Sequence, residues 1–205
     1  MSKTAVSPQK FSRKKFKTMK FTGKYKELLG TPECSGSWII FGDSGNGKTT
    51  TSLELLKYLT NFKKCAYVPL EEGVQLSFQQ AFNQANLLSV SSQFKLWPDY
   101  TVKDLDEELS KPRAPQIIFI DSVQYLRMND ESYSELTKFE YMELLKRHPK
   151  TLFIFISHAK NNEPKCALAE AVYYGSHICM WVKDFVVYPK KNRFGGKTPL
   201  ELNDK

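Results

Sequence analysis

Gly42-Asp43-Ser44-Gly45-Asn46-Gly47-Lys48-Thr49 follows the pattern G-x-x-x-x-G-K-[ST], whose residue types suit a polyphosphate. Glycines let the backbone wrap so that successive N–H groups face one anion, and a following helix adds unpaired donors and a positive dipole end. Lys48 is placed to reach the β- and γ-phosphates, the Thr49 hydroxyl to ligate Mg²⁺, and Thr50 to extend the cradle into the helix. The pattern has its proper context. An apolar run, Trp38–Phe41, precedes it, and helical apolar spacing from Thr50 to Leu59 follows it. Strand, loop and helix in this order imply a nucleoside triphosphate site.

Two further acids suit that chemistry. Asp121 ends the apolar run Ile117–Ile120, so it emerges at the carboxyl edge of a central strand, where ligands bind in open α/β sheets. There it is expected to hold Mg²⁺; a helix-capping aspartate is the plainer alternative. The next residue is Ser122, not Glu, so the base that activates water must come from elsewhere. Glu71-Glu72, just past the strand Cys65–Pro69, is the natural source, with Glu71 favoured as base and Glu72 as substitute.

The elements needed to hold these groups alternate along the chain. Strands are expected near 38–42, 65–69, 94–97, 116–121 and 151–157, and helices near 48–61, 73–86, 101–110 and 131–147. That alternation implies an α/β fold, a parallel sheet flanked by helices, and the continuous apolar runs Ile117–Ile120 and Leu152–Ile156 are those of doubly covered strands. Thr101-x-x-Asp104 has capping-box spacing. Near the end, Ile178–Val182 and Phe185–Pro189, separated by Lys183-Asp184, imply an antiparallel hairpin.

The chain has 205 residues and a net charge of +8, which is unevenly placed. Residues 1–26 carry nine bases and no acid, leaving 21 bases against 22 acids beyond them. Residues 1–21 are expected to be a basic arm and 22–205 the ATPase core. Phe11, Phe16 and Phe21 interleave with the arm lysines, a composition that suits single-stranded nucleic acid, docking on a neighbouring subunit, or a solvated tail. Cys34, Cys65, Cys166 and Cys179 form no C-x-x-C pair, which argues against zinc and for a reducing, cytoplasmic setting. No apolar stretch approaches membrane-spanning length, so no membrane partner is expected.

Gly42-x-x-Gly45-x-Gly47-Lys48-Thr49, Tyr67–Glu72, Ile118–Gln124, Ile156-Ser157-His158 and Lys191-Asn192-Arg193-Phe194-Gly195 occur in the order seen in RecA-superfamily ATPases. The chain resembles the bacterial RadA/Sms branch most, from Thr22 to its last residues, and K-N-R-F-G is the most specific part of the match. The resemblance implies ATP with Mg²⁺ as cofactors, Lys48 and Thr49 as phosphate and metal ligands, Asp121 as the Walker B acid and Glu71 as base. It implies that His158 senses the γ-phosphate, or else is a hydrogen-bonded edge residue. It further implies that Lys191 and Arg193 enter a neighbour's ATP site, the alternatives being a solvated hairpin or a phosphate-backbone contact. The branch's zinc module and Lon-like domain have no counterpart in these residues, so the likeness is to the motor core, similar in extent to short phage-encoded annealing proteins of the same superfamily.

The expected partners are single-stranded DNA and further copies of the chain, with a role in recombination, annealing or branch processing. Lys160–Lys165 through Tyr173-Tyr174-Gly175 falls where the superfamily has its second DNA-binding loop, and Leu126–Ser134 where it has the first. A replicative-type hexameric helicase, a KaiC-like interaction module without DNA and a small-molecule kinase are the rival readings. Phe78–Ala81 and Phe82–Ala85 mimic the F-x-x-A docking motif of related recombinases but lie on a helix expected to pack on the sheet.

Overall fold

The computed structural model describes residues 5–132 and 134–202; Lys3 of the expected arm and Tyr133 lie outside them. In chain order the elements are α1 (Pro8–Ser12), α2 (Gly23–Leu29), β1 (Gly36–Gly42), α3 (Lys48–Leu59), β2 (Cys65–Pro69), α4 (Leu76–Gln84), β3 (Phe94–Leu96), α5 (Val102–Leu109) and β4 (Ile117–Asp121). They continue as α6 (Lys138–Arg147), β5 (Leu152–Lys160), β6 (Glu163–Pro164), α7 (Ala167–Gly175), β7 (Ile178–Lys183), β8 (Val186–Asn192) and β9 (Leu200–Glu201). The sheet order is β3-β2-β4-β5-β1-β7-β8-β9, parallel from β3 through β7 and antiparallel beyond, with β6 paired to β5. This is the helix-flanked parallel sheet with a closing hairpin that the alternation implies, and it is RecA-like, as the resemblance implies.

Strand alternation sorts side chains into two cores. Trp38, Ile40, Tyr67, Phe119 and Ile154 face the layer of α2, α3 and α4. Ile39, Phe41, Val68, Ile120 and Phe155 face that of α5, α6 and α7. Phe78 is buried in the first core and Phe82 and Ala85 pack against it, so both F-x-x-A strings on α4 are packing residues.

Three expectations need correction. The helix expected from 131 starts at Lys138, because Thr137 and Glu140 form a reciprocal capping box. The segment before it is a loop that buries Leu126 and Leu136 and offers the carbonyls of Arg127 and Met128 to the first N–H groups of α5. The segment Lys160–Lys165, expected as a loop of the DNA-binding kind, opens with a tight hairpin, β5–β6, turning on Asn161 and Asn162, both at positive φ. Finally, Phe21 is 3% exposed and packs against Tyr58 and Phe62 of α3, while Met19 is also buried. The arm detaches from the core before Thr18, which pairs with Glu33, and not at Thr22. Phe11 and Phe16 are exposed and stack edge-to-face on each other.

Candidate nucleotide site

The loop after β1 opens at the carboxyl edge of the sheet, and α3 starts at Lys48. Gly47 has φ +92°, and a Cβ there would lie 2.9 Å from the Phe185 ring, so both conformation and space demand glycine. Asp184 and Phe185 form the β7–β8 turn, both at positive φ. That turn grips the glycine loop: the Asp184 N–H donates to Asn46 Oδ1 at 2.9 Å, and the Phe185 N–H donates to the Asn46 carbonyl at 3.3 Å. Nothing in the loop pattern itself announces this clamp.

Lys48, Thr49, Thr50, Ser44, Gly45, Gly47, Glu71, Glu72, Asp121, His158 and Phe185 line one cleft of about 250 Å³. The Lys48 ammonium donates to the Asp43 carbonyl at 3.0 Å. Burial lowers its pKa, opposed first by Glu71 and then by Asp121. Gly42 ends the strand behind this cleft, level with His158 across the β1–β5 pairing.

Asp121 continues the odd-numbered face of β4, with Ile117 and Phe119, and therefore emerges on the α3 side. Tyr67, on the same face of β2, donates its hydroxyl hydrogen to Asp121 Oδ2 at 2.5 Å. The Tyr67 oxygen is also 2.9 Å from Ser52 Oγ, which donates to the Thr49 carbonyl at 2.8 Å. A buried chain of hydroxyls thus ties the strand acid to the first turn of the phosphate helix. Burial pushes the Asp121 carboxyl up to about 6, opposed by the Tyr67 hydrogen bond. Burial likewise raises the Tyr67 phenol well above its ordinary value.

The two acid positions meet through the backbone. The Leu70 and Glu71 N–H groups donate to the Asp121 carbonyl at 2.5 and 3.0 Å, which fixes the turn carrying both glutamates beside β4. Glu71 Oε1 lies 3.0 Å from His158 Nε2. Glu72 instead accepts from Ser77 Oγ at 2.8 Å, turned toward the start of α4. Geometry therefore separates the adjacent acids, one facing the cleft histidine and one engaged by a helix.

Thr49 and Asp121 supply a hydroxyl and a carboxylate to one cleft, the hard oxygen donors that suit Mg²⁺, which keeps waters and phosphate oxygens as its other ligands. Among the described residues, no group of three His, Cys, Asp or Glu is placed to hold a metal ion.

Lys191 and Arg193 stand apart from this cleft. The sheet register sets Lys191 level with Cys179 and Ile39, while the Arg193 N–H donates to the His177 carbonyl and that of His177 to Ser37. At about 3.3 Å per residue, Ser37 lies roughly 17 Å along β1 from Gly42, so Arg193 sits at the edge opposite the glycine loop. Lys191 donates to the Tyr174 carbonyl at 3.0 Å and caps the C-terminal end of α7. Arg193 is exposed. The rest of K-N-R-F-G does structural work. Asn192 Nδ2 donates to the carbonyls of Leu28 and Gly196, Phe194 stacks edge-on to His177, and Gly195 turns the chain at φ +107°; just past the motif, a Cβ on Gly196 would collide with the backbone of Leu28 and Leu29.

A second, larger groove of about 720 Å³ opens from the same place. It shares Thr50 and Phe185 with the phosphate cleft and continues past Glu54, Tyr58 and Leu202. Neither this groove nor Tyr67, Ser52 and Asn46 stands out in the sequence, because their roles arise from contacts across the sheet.

The flagellar accessory protein FlaH from Methanocaldococcus jannaschii is similar in fold, with a TM-score of 0.63, covering 87% of this chain and 90% of that one. Sequence identity is 16%, so the likeness speaks to fold alone. No family model and no curated protein matches the sequence.

Proposed function

We propose that the chain is a Mg²⁺-dependent ATPase of RecA/RadA type that self-associates and binds single-stranded DNA in recombination, annealing or branch processing. One observation carries the ATPase reading: Lys48, Thr49, Glu71, Asp121 and His158 line a single cleft at the carboxyl edge of the sheet. The loop N–H groups and Lys48 bind the triphosphate, and ribose and base extend past Thr50 and Phe185 into the larger groove. Thr49 and Asp121 would hold Mg²⁺, which when bound would supply positive charge against the phosphates. Glu71 orients the attacking water and takes its proton. His158 of β5 holds Glu71 across the end of β4 and releases it when its imidazole turns to the γ-phosphate.

The site lacks an arginine of its own. Arg193, exposed at the far edge, supplies that charge to the next subunit, while Lys191 fixes the segment that carries it. The test is ATP turnover with and without single-stranded DNA across a salt series. Stimulation that fades as salt rises supports the reading, since phosphate contacts weaken with salt. A second reading, an ATP-gated interaction module without DNA, draws on the likeness to an accessory protein. It requires a turnover rate indifferent to DNA at low salt.

A further inference from the structure

The β7–β8 hairpin continues the sheet past β1, with Trp181 on the face that α7 covers. There α7 packs over β1, where Tyr173 sets its ring edge-to-face on Phe41 at 5.6 Å. Trp181 is the neighbour of Phe41 on β7, and Tyr188 is opposite Trp181 on β8. Their rings lie 5.4 Å apart, and both residues are half-buried. Two exposed lysines complete the group, with the Lys190 ammonium 4.3 Å and the Lys183 ammonium 5.6 Å from the centre of the Trp181 ring. Residues 178–193 contain four bases (Lys183, Lys190, Lys191, Arg193) and one acid, Asp184, whose N–H is bonded to Asn46 in the glycine loop. Tyr174 is exposed on α7, Glu163 acts on Tyr173, and Glu201 of β9 pairs with Val186 beside Lys183, the acid that the register sets on the hairpin face itself.

We propose that this outer hairpin face, carried by Trp181, Tyr188, Lys183 and Lys190, is a stacking platform for single-stranded DNA. Paired aromatic faces accept any base, and flanking ammonium groups accept the phosphates on either side, the combination that binds single strands without reading sequence. A base that stacks on Trp181 displaces the Lys190 ammonium from the ring toward the backbone phosphate, so the lysine exchanges one partner for a stronger one. The placement also supplies a route to the ATP site. The hairpin turn, Asp184 and Phe185, is bonded to the glycine loop, so occupancy of the hairpin bears on the loop without any intervening domain. This inference rests on the DNA-binding reading above.

Of the three tryptophans, Trp38 and Trp97 are 0% and 4% exposed, so quenching by a stacked base reports on Trp181. The full chain is titrated with an oligothymidylate of about 20 nucleotides, reading tryptophan emission and the anisotropy of a labelled strand. The wild type should quench. Trp181→Phe should bind normally without quenching, and Trp181→Leu with Tyr188→Leu should bind about tenfold more weakly. Lys183→Glu with Lys190→Glu should also lose about tenfold and flatten the slope of log affinity on log salt by about 1.4. Basal turnover should stay unchanged in all, and melting temperature in Trp181→Phe and the lysine variant, while the leucine variant melts lower for its lost packing and DNA stimulation is lost in the last two. Full affinity in the leucine and glutamate variants, or quenching that survives Trp181→Phe, overturns the platform and moves DNA to another surface. Loss of oligomer on sedimentation with unchanged affinity per protomer overturns it in favour of a contact between copies. No binding by the wild type at low salt removes the DNA-binding reading itself, a separate failure.

Discussion

The two edges of the parallel sheet are built on different principles. At the carboxyl edge, three strand ends and one helix start bring Lys48, Thr49, Asp121, Glu71 and His158 to one cleft, and the polar groups there contact one another. At the amino edge, Asn192, Phe194 and Gly196 lock a turn against α2, while Arg193 faces solvent. One edge is a complete cradle without an arginine; the other is a rigid mount for an arginine without a cradle. On the proposed reading, the contrast calls for two copies of the chain, head against tail, because a single copy holds the cleft and Arg193 at opposite ends of the strands.

The largest effects should come from breaking the cradle. Lys48→Ala is expected to abolish nucleotide binding, measured by titration with a fluorescent ATP analogue. Glu71→Gln should retain that binding and lose about 10²–10⁴-fold in turnover. Glu72→Gln should stay close to wild type, since Glu72 is held by Ser77. Equal losses at both glutamates would contradict the separation seen across the turn.

Next comes the mount. Arg193→Ala should bind ATP normally and lose about 10³-fold in turnover. Mixed with Lys48→Ala, it should partly recover, because some interfaces then combine an intact cradle with an intact arginine. Absence of recovery at every ratio would break the two-copy comparison. Gly196→Ala tests the mount as packing and not as chemistry. A Cβ at that position meets backbone atoms of Leu28 and Leu29, which cannot swing aside, so a loss of about 1–3 kcal/mol is expected in a denaturant titration. Arg193→Ala should leave that titration unmoved.

The smallest effect has the opposite sign. The Asp121 carboxyl titrates at about 6 in the fold against 3.8 outside it, chiefly because burial disfavours its charge. A raised carboxylate pKa means that the fold binds the proton more tightly than the unfolded chain does. This contribution to stability is present below pH 3.8 and lost as pH rises through about 6. In the absence of nucleotide and magnesium at neutral pH, Asp121→Asn should therefore melt a few degrees higher, roughly 2–4 °C for each kcal/mol recovered. An unchanged or lowered melting temperature in Asp121→Asn would show that Tyr67 and Lys48 already compensate the buried charge.

Glu71 and Asp121 show how a site becomes legible in a sequence. Each follows an apolar run that can only be a covered strand, and in a parallel sheet all such runs end at the same edge. Their meeting follows from topology, and the hydrogen bonds from Leu70 and Glu71 to the Asp121 carbonyl fix its details. Phe21 shows the opposite case. Amid lysines its composition suits a mobile arm, yet it fills a space between Tyr58 and Phe62 that one helix cannot reveal by itself. Lys191 and Arg193 fall between these cases. Their spacing suggests a pair, but the carbonyl ends of α7 engage one and leave the other exposed.

By itself the sequence determined the strand–loop–helix cradle, the order of the sheet-forming runs and the edge at which the acids emerge. Those depend on residue type, periodicity and strand polarity, which are properties of short stretches. Tertiary packing settled that Glu71 pairs with His158 and Glu72 with Ser77, that Tyr67 and Ser52 bridge Asp121 to α3, and that the hairpin turn grips the glycine loop. Each of those is a contact between residues distant in the chain, set by packing density and strand register, and no local pattern carries that information.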